Sequence, residues 1–215
     1  MPTLNISIRE FSKLRGFLEN ETLKKLGIIL KKKKWRKNHN IFFLSHKNWF
    51  WELTVSTHWN IEKTSATLAI KPMSIDPILW DIMDLSENHK APLSFRANGA
   101  FICSSLPIDN FIIEDSEKNA EVVSLAIYSW VVDSFDEYCN HITESTFSSK
   151  VEAHENQRER GAYAISLITS LISEGNIEKA RKYAQAYESS DLVSISKMTN
   201  SDGKSFHYHA LKWLS

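Results

Sequence analysis

The residues best suited to chemistry lie in one run, Lys31-Lys32-Lys33-Lys34-Trp35-Arg36-Lys37, which puts six cations around one indole. Trp49, Phe50, Trp51 and Trp59 follow closely. Cations contact phosphates and aromatic faces stack on bases, so a basic strand with aromatic neighbours suits a single-stranded nucleic acid. Lysines on an exposed edge strand also protect a sheet from edge-to-edge pairing, and the alternation through Trp49 to Trp59 turns the tryptophans toward a core. Nucleic-acid binding through Lys31, Lys32, Lys33, Lys34, Arg36 and Lys37 is therefore the second reading of this chain.

The remaining reactive residue types form no recognised constellation. His207 and His209 would share a face only in an extended segment, and no HExxH, CxxC or HxxxH spacing supplies a third ligand, so no metal is expected. No nucleophile elbow, paired-carboxylate pattern or glycine-rich phosphate loop is present, so the expectation is a protein that is not an enzyme and holds no cofactor. Arg96, within Ser94-x-Arg96 and beside Asn98-Gly99, could hold an anion, but an arginine next to a turn more often satisfies the backbone. Cys103 and Cys139 fall in different elements without CxxC spacing and read as two reduced, buried thiols.

Charge is distributed unevenly. Residues 1–71 hold 14 Lys+Arg against 5 Asp+Glu, and residues 72–215 hold 12 against 21, so a net charge of zero conceals a basic first third and an acidic remainder. Such a split can steer a charged partner, or it can draw the two portions of one chain together. The acidic portion offers Glu114, Asp115, Glu117, Glu144, Glu152, Glu155 and Glu159 as a partner-binding surface, with complementary charge setting association rate and selectivity.

Elements that would position these groups follow from hydrophobic periodicity. Apolar positions at Ile8, Phe11, Leu14, Phe17, Leu18, Leu23 and Leu26 predict a first helix closed by Gly27 as its C-cap. From Ile28 the period becomes alternating. Strands are expected over 28–35, 41–44, 49–59 and 65–71, joined by short polar turns into an antiparallel meander. Asp76-Pro77 reads as a helix start, and Asn98-Gly99 as a tight hairpin between Leu93 to Arg96 and Ala100 to Cys103. Asn119 to His141 is apolar around most of its circumference, which marks a buried central helix covering the sheet. Phe147 to Lys150 reads as a linker. A helical pair turns at Gly175-Asn176, and the tail from Lys204 docks back.

The expected fold is α+β: an N-terminal helix, an antiparallel sheet of four to six strands, and a mostly helical C-terminal half packed on it. The division is expected at 1–113 and 114–215. The opening residues lack the pattern of an export signal and no stretch is long enough to span a bilayer, so the expected location is the cytoplasm, with no membrane partner.

The segments WFWELTVSTHW, SIDPILWDIMDL and GAYAISLITSLISEGNIEKARKYAQAY, in this order behind a leading helix, give a layout that resembles immunity proteins of bacterial polymorphic toxin systems. That resemblance implies a cytoplasmic, stoichiometric inhibitor of one cognate toxin domain, such as a nuclease, that needs no catalytic residues.

Overall fold

The computed structural model describes residues 7–58, 61–115, 119–157, 161–192 and 198–215. Helix α1 (Ile8–Lys31) starts at Ser7, whose side chain accepts from the Glu10 amide while the Glu10 carboxylate accepts from the Ser7 amide. This reciprocal capping satisfies two amides that have no partner within the helix.

The end of α1 departs from the sequence expectation. The helix runs through Gly27 and ends with Lys34 at φ 66°; the Trp35 amide donates to the Leu30 carbonyl and the Lys34 amide to that of Lys31. This is a Schellman closure with lysine at the left-handed position that glycine usually takes. Gly27 continues the helix, and a Cβ there would make an ordinary contact with the Phe42 ring at 3.4 Å. The strand expected over 28–35 is therefore the last helical turn and its cap.

Strands β1 (Arg36–Asn38), β2 (Ile41–His46), β3 (Trp49–Thr57), β4 (Lys63–Pro72) and β5 (Leu106–Glu114) form one antiparallel sheet in sequential order. β1 pairs with β2 in the register Asn38 to Ile41. Lys47 and Asn48, at φ 47° and 64°, make the two-residue link between β2 and β3, the positive-φ turn that suits strand twist. In β3, Trp49, Trp51, Leu53, Val55 and Thr57 are all buried, as their alternation requires. Trp59 lies outside the described residues.

The helices are α2 (Ile75–Ile82), the single turn α3 (Phe95–Asn98), α4 (Ala120–His141), α5 (Phe147–Gln157), α6 (Ala164–Ser173), α7 (Ile177–Glu188) and α8 (Phe206–Trp213). Asn98-Gly99 ends α3 and forms no hairpin. The Gly99 amide donates to the Phe95 carbonyl, and a Cβ on Gly99 would meet that oxygen at 2.4 Å. Phe147 to Lys150 is the first turn of α5 and not a linker, with the Phe147 ring fully buried.

Two compact units interleave along the chain: residues 1–44, 51–69 and 107–140 in the first, residues 45–50, 70–106 and 141–215 in the second. The expected boundary at residue 113 falls inside β5, because β5 and α4 belong with the N-terminal elements. In the first unit, α4 buries one stripe, Val123, Ile127, Val131 and Ser134, while Val122 and Leu125 are about half exposed. It is thus a one-faced helix, not the enclosed one its composition suggests. Phe135 brings it to Trp51, with ring centroids 4.6 Å apart, and Trp130 stacks on Phe111 and donates to Asp109. In the second unit the enclosed helix is α6, buried at every position from Ala164 to Ile172 and packed by α2, α5 and α7. There α8 docks on α7 through buried Phe206, His207 and Ala210.

Candidate functional site

In the first unit the basic run forms an elbow. Lys31 closes α1, Lys32, Lys33 and Lys34 make the turn, and Arg36 and Lys37 open β1. All six cations are exposed, whereas Trp35 between them is buried. Lysines at the end of α1 lie where the helix dipole favours positive charge. Among the described residues none of the six pairs with a carboxylate; Lys37 lies over the Phe42 ring, 5.6 Å from its centroid. The elbow carries concentrated, solvated positive charge. Among the described residues it offers no tryptophan face, since Trp35, Trp49 and Trp51 are buried.

The acidic residues are placed differently from the sequence expectation. Asp115 is 2% exposed. Its carboxylate accepts from both terminal guanidinium nitrogens of Arg15 and from the Thr64 hydroxyl, and Arg15 also donates to the carbonyls of His58 and Lys63. This ties α1 to β4 and to the residue following β5. Glu114, beside it, is exposed and lies 3.5 Å from the Lys63 ammonium. Glu117 and Glu159 lie outside the described residues.

The other three belong to the second unit. Glu144 is half-buried. Glu155 is buried, and its carboxylate accepts from the amides of Gly161 and Tyr163, fixing the connection between α5 and α6. Glu152 accepts from Lys179 at 2.6 Å and from the Tyr183 hydroxyl. These two bonds hold its carboxyl below the usual range, while burial and the Glu152 charge push the Tyr183 phenol up to about 12. Asp115 and Glu155 are therefore internal struts and cannot present charge to a partner. Their burial had no local signal, because the groups they satisfy lie at other points of the chain.

Glu152 and Tyr183 also line an open cleft of about 420 Å³ with Lys179, Lys182, Ala186 and Leu192. Its carboxylate and one of its two ammonium groups already neutralise each other, and the phenol is a donor engaged by that carboxylate.

A buried ionic cluster in the second unit escaped sequence reading. Lys71, wholly buried, donates to Asp76 and to the carbonyls of Arg96 and Cys103. Asp76 also accepts from Arg96 at 2.9 Å and from the Cys103 amide at 2.8 Å. Arg96 further donates to the Met73 carbonyl and lies over the Trp80 ring. Arg96 is thus a structural group whose anion is Asp76. All three ammonium protons of Lys71 are matched, which is what a buried cation needs in order to remain charged. The nearby Cys103 thiol is pushed up by burial and by Asp76, and contacts the Ile75 carbonyl and Thr169 hydroxyl. It is an inert core thiol.

His207 and His209 lie on a helix, two residues apart, and so point in different directions. His207 stacks on Tyr187, and His209 lies 3.3 Å from Asp202. Among the described residues no three His, Cys, Asp or Glu side chains converge on a point, and no helix is long and apolar enough to cross a membrane. Comparison of the chain with protein-family models, with curated proteins and with solved structures finds no match.

Proposed function

We propose that this chain is a cytoplasmic, non-catalytic binding protein that neutralises a cognate partner stoichiometrically, as immunity proteins do, and that the basic elbow is its contact surface. The observation carrying this reading is the exposure of Lys31, Lys32, Lys33, Lys34, Arg36 and Lys37 together with the burial of the tryptophans beside them. The partner's complementary face is acidic. This moves the interface away from the acidic set, two of whose members are internal. Charge of this kind, solvated and concentrated, acts chiefly on association rate and partner choice.

A single-stranded nucleic acid could also meet the lysines. It would lack stacking at Trp35, Trp49 and Trp51, and phosphate contacts alone give sequence-independent binding that salt weakens steeply. A protein partner is favoured for that reason.

The test begins with the reading frames next to this one and takes any toxin domain they encode as the candidate partner. Co-expression should rescue growth, and the purified pair should bind with 1:1 stoichiometry. Replacing Lys31, Lys32, Lys33 and Lys34 together by Gln should slow association roughly tenfold at low salt and flatten its salt dependence. Unchanged association would move the interface off the elbow, and absence of both binding and rescue would remove the pairing. Micromolar binding to an oligo-dT strand, lost as salt rises, would favour the nucleic-acid reading.

A further inference from the structure

The outer side of α1 has a regular pattern that the elbow does not explain. Glu10, Leu14, Phe17, Glu21, Lys24 and Ile28 recur at steps of four and three, the spacing of a seam that stays on one side of a helix. Arg15, Thr22, Leu23, Leu26 and Leu30 hold the buried side, so this seam points away from the interior of its unit. Leu14, Phe17 and Ile28 are 56%, 68% and 61% exposed.

We propose that this seam is a self-association surface: two copies of the chain pair α1 against α1, antiparallel, about a two-fold axis at Phe17. The charge order of the helix supplies the argument. With Phe17 facing Phe17 of the partner subunit, Lys13 comes opposite Glu21 of the partner subunit, and Glu10 opposite Lys24 of the partner subunit. Symmetry repeats both pairs, so four opposite-charge contacts flank an aromatic centre. Leu14 falls beside the axis and adds apolar area next to it.

Other arrangements are worse. A parallel pair would set Glu10 on Glu10, Lys24 on Lys24, and one elbow against the other. In the antiparallel pair, Lys31 to Lys34 lie 14 to 17 residues past the axis, about 21–26 Å along the helix. The two elbows are then more than about 40 Å apart, several Debye lengths at physiological salt, and both stay open to an acidic partner.

The seam from Glu10 to Lys24 spans about four turns, so the contact is small by the standard of specific interfaces. The dissociation constant expected is roughly 10–100 µM, in the range of weak, transient contacts.

Sedimentation velocity from about 5 to about 500 µM protein should therefore show a monomer passing to a dimer and no larger species. Phe17→Glu should remove the dimer. Lys13→Glu sets carboxylates against Glu21 on both sides of the axis and should weaken it about tenfold, with Glu21→Lys doing the same. The double variant Lys13→Glu/Glu21→Lys should return to within about threefold of the wild type, because the pairs re-form with reversed sign. Circular dichroism melts should be alike for all four, since Lys13 and Phe17 are exposed and Glu21 lies at the surface. A wild type that stays monomeric at the highest concentration overturns the proposal, as does a dimer indifferent to Phe17→Glu. A double variant that stays as weak as the singles overturns the two-fold register. None of these outcomes depends on whether the elbow binds a partner.

Discussion

His207 makes the stability of the second unit depend on pH in a direction that can be worked out. It lies on α8, 5% exposed, with its ring 5.1 Å from the Tyr187 ring and 20° from coplanar. Neither ring nitrogen has a hydrogen-bond partner among the described residues. Burial pushes its pKa down from 6.5 to about 4, with Glu188 pulling weakly the other way. The unfolded chain therefore takes up a proton that the folded chain refuses between these two values. Stability is complete above pH 6.5 and is lost as pH falls toward 4, up to about 3 kcal/mol from this residue alone. His207→Phe keeps the ring stack on Tyr187 and removes the titration. Urea unfolding at about pH 7.5 and about pH 4.5 should show the wild type losing roughly 2–3 kcal/mol more than the variant. Carboxylates titrate in both proteins and cancel in the comparison. If the two lost the same stability on acidification, the ring would be gaining a proton in the folded state, and the account of its burial would be wrong.

Two further stability measurements probe other parts of the chain. Asp76→Ala leaves the buried Lys71 ammonium facing only the carbonyls of Arg96 and Cys103, and should lower stability by about 3–5 kcal/mol, read from the urea midpoint; a loss below about 1 kcal/mol would mean that the ion pair is solvated in the folded protein. Lys34→Gly relieves a left-handed backbone at the end of α1 and should raise stability by about 0.5–1 kcal/mol in a thermal melt, whereas a lower melting temperature would mean the Lys34 side chain stabilises that turn.

Legibility in the sequence followed the range of the interactions concerned. The alternation of β3, the turn at Lys47-Asn48 and the helical pair around Gly175 depend on local periodicity and turn chemistry, and each was readable. The end of α1 was not, because Lys34 adopts the conformation usually left to glycine while Gly27 continues the helix. Gly99 was misread for another reason: its constraint is the close approach of the Phe95 carbonyl and not a hairpin turn. For the candidate site, the exposure of the lysine run was legible from its density of charge. The fate of the carboxylates was not, since Asp115 is paired with a residue 100 positions away and Glu155 with amides beyond the end of its own helix.

The charge asymmetry of the chain explains why the elbow stands out. Part of it is used inside the first unit, where cations from the basic portion meet acids from the acidic portion: Arg15 with Asp115, Lys25 with Glu121, and Lys63 with Glu114. Lys71 meets Asp76 across the same divide in the second. Only the first and last of these are buried, and there removal of either partner would strand a charge; the exposed pairs contribute little to stability. Attraction between the two portions therefore accounts for Arg15, Lys25, Lys63 and Lys71 but, among the described residues, for none of the six in the elbow. Those keep their hydration and crowd a tight turn, an arrangement that costs self-repulsion and, among the described residues, brings no compensating ion pair. A helix C-terminus offsets part of that repulsion for Lys31 and its neighbours, but Arg36 and Lys37 have moved on to β1, where no helix dipole acts. This unpaired charge density is the ground on which we propose the elbow as the contact surface for an acidic partner.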